Sequence, residues 1–116
     1  MKLLVCGGRD FSDFDYACSV LDRFHAKYPV DIVIQGGQRG ADMIAHDWAH
    51  SRAIHSATVM AQWNYHRRAA GPLRNAAMLM LGPDAVLAFP GGPGTAGMCR
   101  LAEAAGIKVW KIEPRS

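Results

Sequence analysis

Residues 85–97 read Ala85-Val86-Leu87-Ala88-Phe89-Pro90-Gly91-Gly92-Pro93-Gly94-Thr95-Ala96-Gly97. An apolar run passes into closely spaced glycines and then a Thr, the pattern of a strand, a phosphate-sized loop and a helix start. Glycine lacks Cβ, so such a loop lets a ligand approach main-chain N–H groups, and the following helix adds the positive end of its dipole. The expected ligand is an anion, held by the amides around Gly92, Gly94 and Thr95. The spacing matches neither G-x-G-x-x-G nor G-x-x-x-x-G-K-[ST], so neither fingerprint applies and no cofactor is expected. A tight Pro-Gly connection is the competing structural reading.

The chain on either side repeats the strand–glycine–helix unit. Leu3-Leu4-Val5-Cys6 is an apolar run closed by Gly7-Gly8, and Ser12 or Asp13 can cap a helix reaching about residue 28. Ala17, Val20, Leu21 and Phe24 recur at helical spacing as a buried stripe, with Asp22, Arg23 and Lys27 facing water. Residues 31–35 give a second β-branched run, ending in Gly36-Gly37 and followed by Arg39-Gly40-Ala41-Asp42 and a helix over 41–52. Residues 55–60 are a weaker third strand, and 61–68 a polar loop carrying Trp63, long enough to be a lid. After Gly71-Pro72 the pattern predicts a helix over 73–81, then a strand over 84–89, a helix over 95–105 and a last strand over 107–112.

Five strands alternating with four helices imply a parallel sheet with right-handed crossovers and helices on both faces. The expected fold is a single doubly wound, Rossmann-like α/β domain over residues 1–116. Ligands of such sheets sit beyond the carboxyl ends of the strands, where the strand order reverses. Gly7-Gly8, Gly36-Gly37 and Gly91-Gly92-Gly94 all fall at strand exits, with Arg9 and Arg39 close behind the first two pairs.

A length of 116 residues suits one domain, and 50% hydrophobic with 20% charged residues excludes a disordered chain. No apolar run approaches the ~20 residues of a membrane span, and Arg9 and Asp10 cut the N-terminal run short of a signal-peptide core, so a soluble cytoplasmic protein is expected. Cys6, Cys18 and Cys99 are odd in number and lack C-x-x-C spacing, which supports neither a disulfide framework nor a zinc site and predicts reduced, buried thiols. A formal charge of +3 favours anionic partners but falls short of the basic tracts of dedicated nucleic-acid binders.

Four segments, G-G-R-D-F (7–11), Q-G-G-x-x-G-A-D (35–42), A-G-P-x-R-N-x-x-M (70–78) and F-P-G-G-x-G-T (89–95), together resemble the YspA-type branch of the SLOG superfamily, the Smf/DprA and LOG-like group of Rossmann-like domains. The match spans almost the whole chain. The resemblance implies nucleotides or nucleotide-derived ligands at the strand exits. Within that group the LOG enzymes, cytokinin-activating phosphoribohydrolases, carry P-G-G-x-G-T-x-x-E and an Arg on the preceding helix. Residues 90–95 match the first six motif positions and Arg74 the Arg, but the ninth is Met98. The family's Glu helps bind and activate the ribose as the N-glycosidic bond breaks, and a thioether can neither accept a proton nor stabilise an oxocarbenium ion. No catalytic residue is therefore assigned.

The favoured reading is a binding or sensor module. Gly91, Gly92, Gly94 and Thr95 hold phosphate, with Gly7, Gly8, Arg9, Gly36 and Gly37 on the neighbouring loops. Arg74 neutralises the phosphate, Asp42 or Asn75 reads the ribose, and Trp63 stacks on the base. Each has a plainer alternative: Thr95 caps its helix, Asp42 favours its own helix N-terminus, and Arg74, read as first-turn, is a solvated surface group. A second reading is a phosphoribohydrolase in which Asp42 or Glu103 replaces the missing Glu. A third is single-stranded nucleic-acid binding through Arg9, Arg39, Arg67 and Arg68 with Trp63 stacking. His46-Asp47-Trp48-Ala49-His50 resembles H-E-x-x-H but has no third ligand in spacing, so it reads as a solvated helix face with no metal. Finally, residues 76–81 are apolar on every face of their helix, which predicts a homodimer through it unless the 61–68 loop folds back over the outer methionines.

Overall fold

The computed structural model describes residues 1–115. Strands β1 (Lys2–Cys6), β2 (Ile32–Gln35), β3 (His55–Thr58), β4 (Ala85–Ala88) and β5 (Lys108–Lys111) form one parallel sheet in the order β3-β2-β1-β4-β5. Helices α1 (Phe14–Lys27) and α2 (Ala41–Ser51) follow the first two strands. A short α3 (Trp63–His66) leads to α4 (Ala70–Met80), and α5 (Pro93–Ala104) connects β4 to β5. The order reverses between β1 and β4, so the crevice at their carboxyl ends is the expected ligand position of this architecture.

Leu3 through Cys6 are all buried, as an apolar run must be when both faces of its strand are covered. Their alternation sorts the core into two layers. Leu3 and Val5 pack with Val33, Ala85 and Leu87 against the stripes of α1 and α2, including Phe24 and Trp48. Leu4 and Cys6 pack with Ile34, Val86 and Ala88 against Met78 of α4 and Met98, Cys99 and Ala102 of α5. Asp13 is the N-cap of α1, its carboxylate accepting from Tyr16 N, and the stripe Ala17, Val20, Leu21 and Phe24 is buried.

Several boundaries differ from the periodicity; β3, for one, ends at Thr58. Helix α4 starts at Ala70, with Pro72 inside the first turn where its missing N–H costs nothing, so Arg74 lies in the second turn. Helix α5 starts at Pro93. The stretch read as an open polar loop instead folds into α3 and a 3-10 turn, Arg67–Ala69, that runs directly into α4. It does not cover the outer methionine of α4, since Met80 remains 85% exposed. Cys18 is only partly buried, because it sits at the edge of the α1 stripe. Among the described residues, no helix is long and apolar enough to cross a membrane.

Candidate anion site at the sheet reversal

The loops after β1 and β4 are laced together. Gly8 N donates to the Pro90 carbonyl at 2.8 Å, and Phe89 N to the Cys6 carbonyl at 2.9 Å. Phe11 stacks on Phe89 with ring centroids 5.2 Å apart. Gly91 lies so close to the neighbouring loop that a Cβ there would meet Gly8 N at 2.6 Å and overlap Thr95 Oγ1, so the approach requires glycine. The loop after β2 packs beneath them: Gly40 has φ +84°, a Cβ on it would overlap the Gly8 carbonyl, and Ala41 N donates to that carbonyl at 3.2 Å. Arg39 reaches across from the same loop to the Arg9 carbonyl at 3.3 Å and the Asp10 carboxylate at 3.0 Å.

Above this lacing stands the start of α5. Its N-cap is Gly92, which has no side chain to offer, and the first helical residue, Pro93, has no N–H. Ala96 N is the first to close a helical bond, to the Gly92 carbonyl at 3.0 Å, which leaves the Gly94 and Thr95 N–H groups without a helical acceptor. Space around Gly92 and Gly94 is open, since a Cβ on either would meet nothing within 4 Å. Thr95 makes no capping bond, contrary to the capping alternative, because the chain enters the helix two residues earlier; its hydroxyl lies against Gly91 instead.

A relay through α4 fixes this helix start. Arg74 Nη1 donates to the Gly36 carbonyl at 3.0 Å and Nε to Asn75 Oδ1 at 3.0 Å, while Asn75 Nδ2 donates to the Gly94 carbonyl at 3.3 Å. A Cβ on Gly36 would overlap the guanidinium, so a side chain there would displace Arg74 from this position. Arg74 therefore lies over the β2 loop and is not the solvated first-turn group of the plainer reading. Asp42, buried beside it, accepts from Gln38 N at 3.2 Å. Burial pushes its carboxyl above the usual carboxylate range, opposed by the Gln38 N–H and the Arg74 charge.

These elements enclose a cavity of about 1210 Å³, whose wall contains every expected site residue except Gly36 and Gly37. Gly7, Gly8, Arg9, Asp42, Trp63, Arg74, Asn75, Gly91, Gly92, Gly94 and Thr95 all border it. Gly36 and Gly37 act behind the wall: Gly36 seats Arg74, and Gly37, at φ +75°, donates its N–H to Gln35 Oε1 at 2.6 Å. Met98 is fully buried among Leu4, Ile34 and Val86 and brings no carboxylate to the wall. Glu103 points away, pairing with Lys111 at 3.6 Å, which removes it as a replacement for the missing Glu. Of the arginines offered for nucleic acid, only Arg9 borders the cavity. The wall also includes Asp10, Phe11, Gln38 and Arg100, which the sequence reading did not assign. Helical spacing from Pro93 through Gly97 to Arg100 was the available signal for the last.

The model of the YspA, cpYpsA-related SLOG family matches residues 1–66, more than half of the chain and the part that carries the first two glycine pairs. The chain is also similar to the Gene 61 protein of Mycobacterium phage D29, with 37% identity over 116 residues covering 93% of each chain. No solved structure matches it.

Proposed function

The chain belongs to the YspA, cpYpsA-related SLOG family, and from that premise we propose that it binds a nucleotide or nucleotide-derived phosphate ligand as a binding or sensor module. The observation that carries this reading is the pair of unaccepted N–H groups, Gly94 and Thr95, at an open helix N-terminus that borders the same cavity as Arg74. In this reading the phosphate lies on the amides of Gly92, Gly94 and Thr95, and Arg74 supplies the countercharge. Asp42 accepts from a ribose hydroxyl, and Trp63, 52% exposed at the cavity rim, stacks on the base. The cavity exceeds the few hundred Å³ that a small ligand needs, which supports a ligand as large as a nucleotide.

A thermal-shift screen of inorganic phosphate, nucleotides and their cyclic and ADP-ribose derivatives tests this. A ligand at a hundred times its dissociation constant stabilises the fold by ~2.7 kcal/mol. No shift with any of them overturns the reading. Chromatography should show no free base released from nucleoside monophosphates, because Met98 stands where the LOG enzymes place Glu. The hydrolase alternative is kept by one observation, the buried Asp42 carboxylate on the wall. Base release abolished in Asp42→Asn would favour it.

We also propose a homodimer through α4. Leu73, Met80 and Leu81 are exposed at 47, 85 and 43%, a concentration of apolar surface that a second copy would bury.

A further inference from the structure

One turn of α5 is bare where it borders the cavity. Gly94 and Gly97 both stand on the wall, three residues apart, which is just under one turn or roughly 4.5 Å along the axis. Nothing in the fold requires glycine at either place. Neither has a positive φ. A Cβ on Gly94 would meet nothing within 4 Å, and one on Gly97 would meet only Arg100 Nη2 at 3.8 Å, an ordinary contact. Glycine inside a helix destabilises it relative to Ala, and at Gly97, in the second turn of α5, no packing offsets that loss. The far end of the bare turn carries a charge. Arg100 borders the same cavity, and its guanidinium folds back over Gly97 toward the helix start, the direction helical side chains take. It has no ion pair among the described residues, because Glu103, the carboxylate of its own helix, takes Lys111 at 3.6 Å and Asp10 on the wall takes Arg39 at 3.0 Å. The turn thus runs from the free Gly94 and Thr95 N–H groups to an unpaired guanidinium, with Gly97 between them.

We propose that the cavity selects a diphosphate, a nucleotide ligand with two phosphoryl groups joined through a bridging oxygen, and that Arg100 is the residue that reads the second one. The first phosphoryl group lies on the amides of Gly92, Gly94 and Thr95. The next follows the bare turn, lies over Gly97 and takes the forked N–H groups of Arg100, a geometry that a guanidinium matches better than any other side chain. A methyl at position 97 would occupy that place, which gives the glycine its reason. A monophosphate reaches the amides and leaves Arg100 in water. Diphosphate binding of this kind rests on the phosphate site proposed above and names the class of ligand within it.

The test is calorimetry of the full chain in magnesium-free buffer with two pairs of probes, inorganic phosphate against pyrophosphate and AMP against ADP. The diphosphate of each pair should bind at least about tenfold more tightly, the worth of a charge-assisted hydrogen bond. Arg100→Ala should remove that preference and leave the monophosphate affinity unchanged. Arg23→Ala takes the same charge from an exposed position on α1, which packs on the opposite layer of the sheet, and should keep the preference, so that net charge is excluded as its cause. Gly97→Ala should melt no lower than the parent and lose the preference too, and it decides alone should Arg100→Ala fail to fold. Monophosphate binding with no preference for the diphosphate overturns this inference and leaves the phosphate site standing. So does a preference that survives in Arg100→Ala. No binding by either pair overturns both.

Discussion

The Arg74 guanidinium donates to the Gly36 carbonyl at 3.0 Å, so a side chain of α4 fastens the exit loop of β2. Its Nε continues to Asn75, whose amide holds the Gly94 carbonyl at 3.3 Å. The remaining guanidinium nitrogen, Nη2, makes no bond among the described residues while Arg74 borders the cavity. One side chain therefore sets the shape of the cradle and supplies its charge.

Arg74→Ala should weaken binding of a phosphate-bearing ligand by roughly 1.5–3 kcal/mol, the range for a hydrogen bond to a charged group. The fold should lose less, about 1 kcal/mol, because water can replace the donor at the half-open Gly36 carbonyl. Calorimetry and denaturant melts measure the two separately, and equal affinity for variant and parent would remove Arg74 from the site.

Glycines of the same loop should respond in opposite ways. In Gly91→Ala the new methyl meets main-chain Gly8 N at 2.6 Å, so overpacking should cost about 1–3 kcal/mol. In Gly94→Ala it meets nothing within 4 Å, and the gain in helix propensity should stabilise the free protein by about 0.5–1 kcal/mol. That methyl nevertheless stands in the cradle, so anion binding should fall. A Gly94→Ala protein that is more stable and binds phosphate as well as the parent would place the ligand elsewhere.

Asp42 makes stability depend on pH in an unusual direction for a carboxylate. Burial raises its folded pKa above the unfolded value, so the fold binds the proton more readily. Stability is then lost as pH rises from the unfolded value, about 3.9, through the folded one, and the whole penalty is present above that. Asp42→Asn should thus be favoured relative to the parent at neutral pH, with the difference closing as pH falls below about 4. Denaturant titrations at both pH values measure this, and a difference independent of pH would contradict it.

For the homodimer, light scattering at micromolar concentration should give twice the 12.6 kDa chain mass. Met80→Glu places a charge on a side chain that is 85% exposed in the single chain, so it should spare the fold and abolish the doubled mass. A mass near 12.6 kDa that does not change on dilution would refute the dimer.

The parts of the fold legible in the sequence are those governed by local periodicity. The four buried residues of β1 and the stripe Ala17, Val20, Leu21 and Phe24 are patterns within one element, and each packs as its spacing requires. Helix starts were less legible. Pro72 reads as a first helical position, yet it is accommodated at the third because the 3-10 turn before it already supplies helical backbone. Of the site, the glycines and Arg74 were visible as residue types, but their division of labour was not. Gly36 and Gly91 are indistinguishable in sequence, while one seats a guanidinium behind the wall and the other forms the wall itself. That distinction comes from contacts between elements far apart in the chain, which no local pattern encodes.

The sheet order also sets a timetable for folding. β1 is the first strand in the chain and the middle strand of the sheet, with β2 on one side and β4 on the other. Pairing with β2 closes a short crossover, whereas Leu3 must wait for Ala85 before its other edge is satisfied. Such a distant closure is slow, and until it occurs β1 presents an open edge and the apolar residues Leu4 and Cys6 lack their α5 cover. The cradle, whose walls come from both sides of β1, is therefore complete only after β4 has joined the sheet.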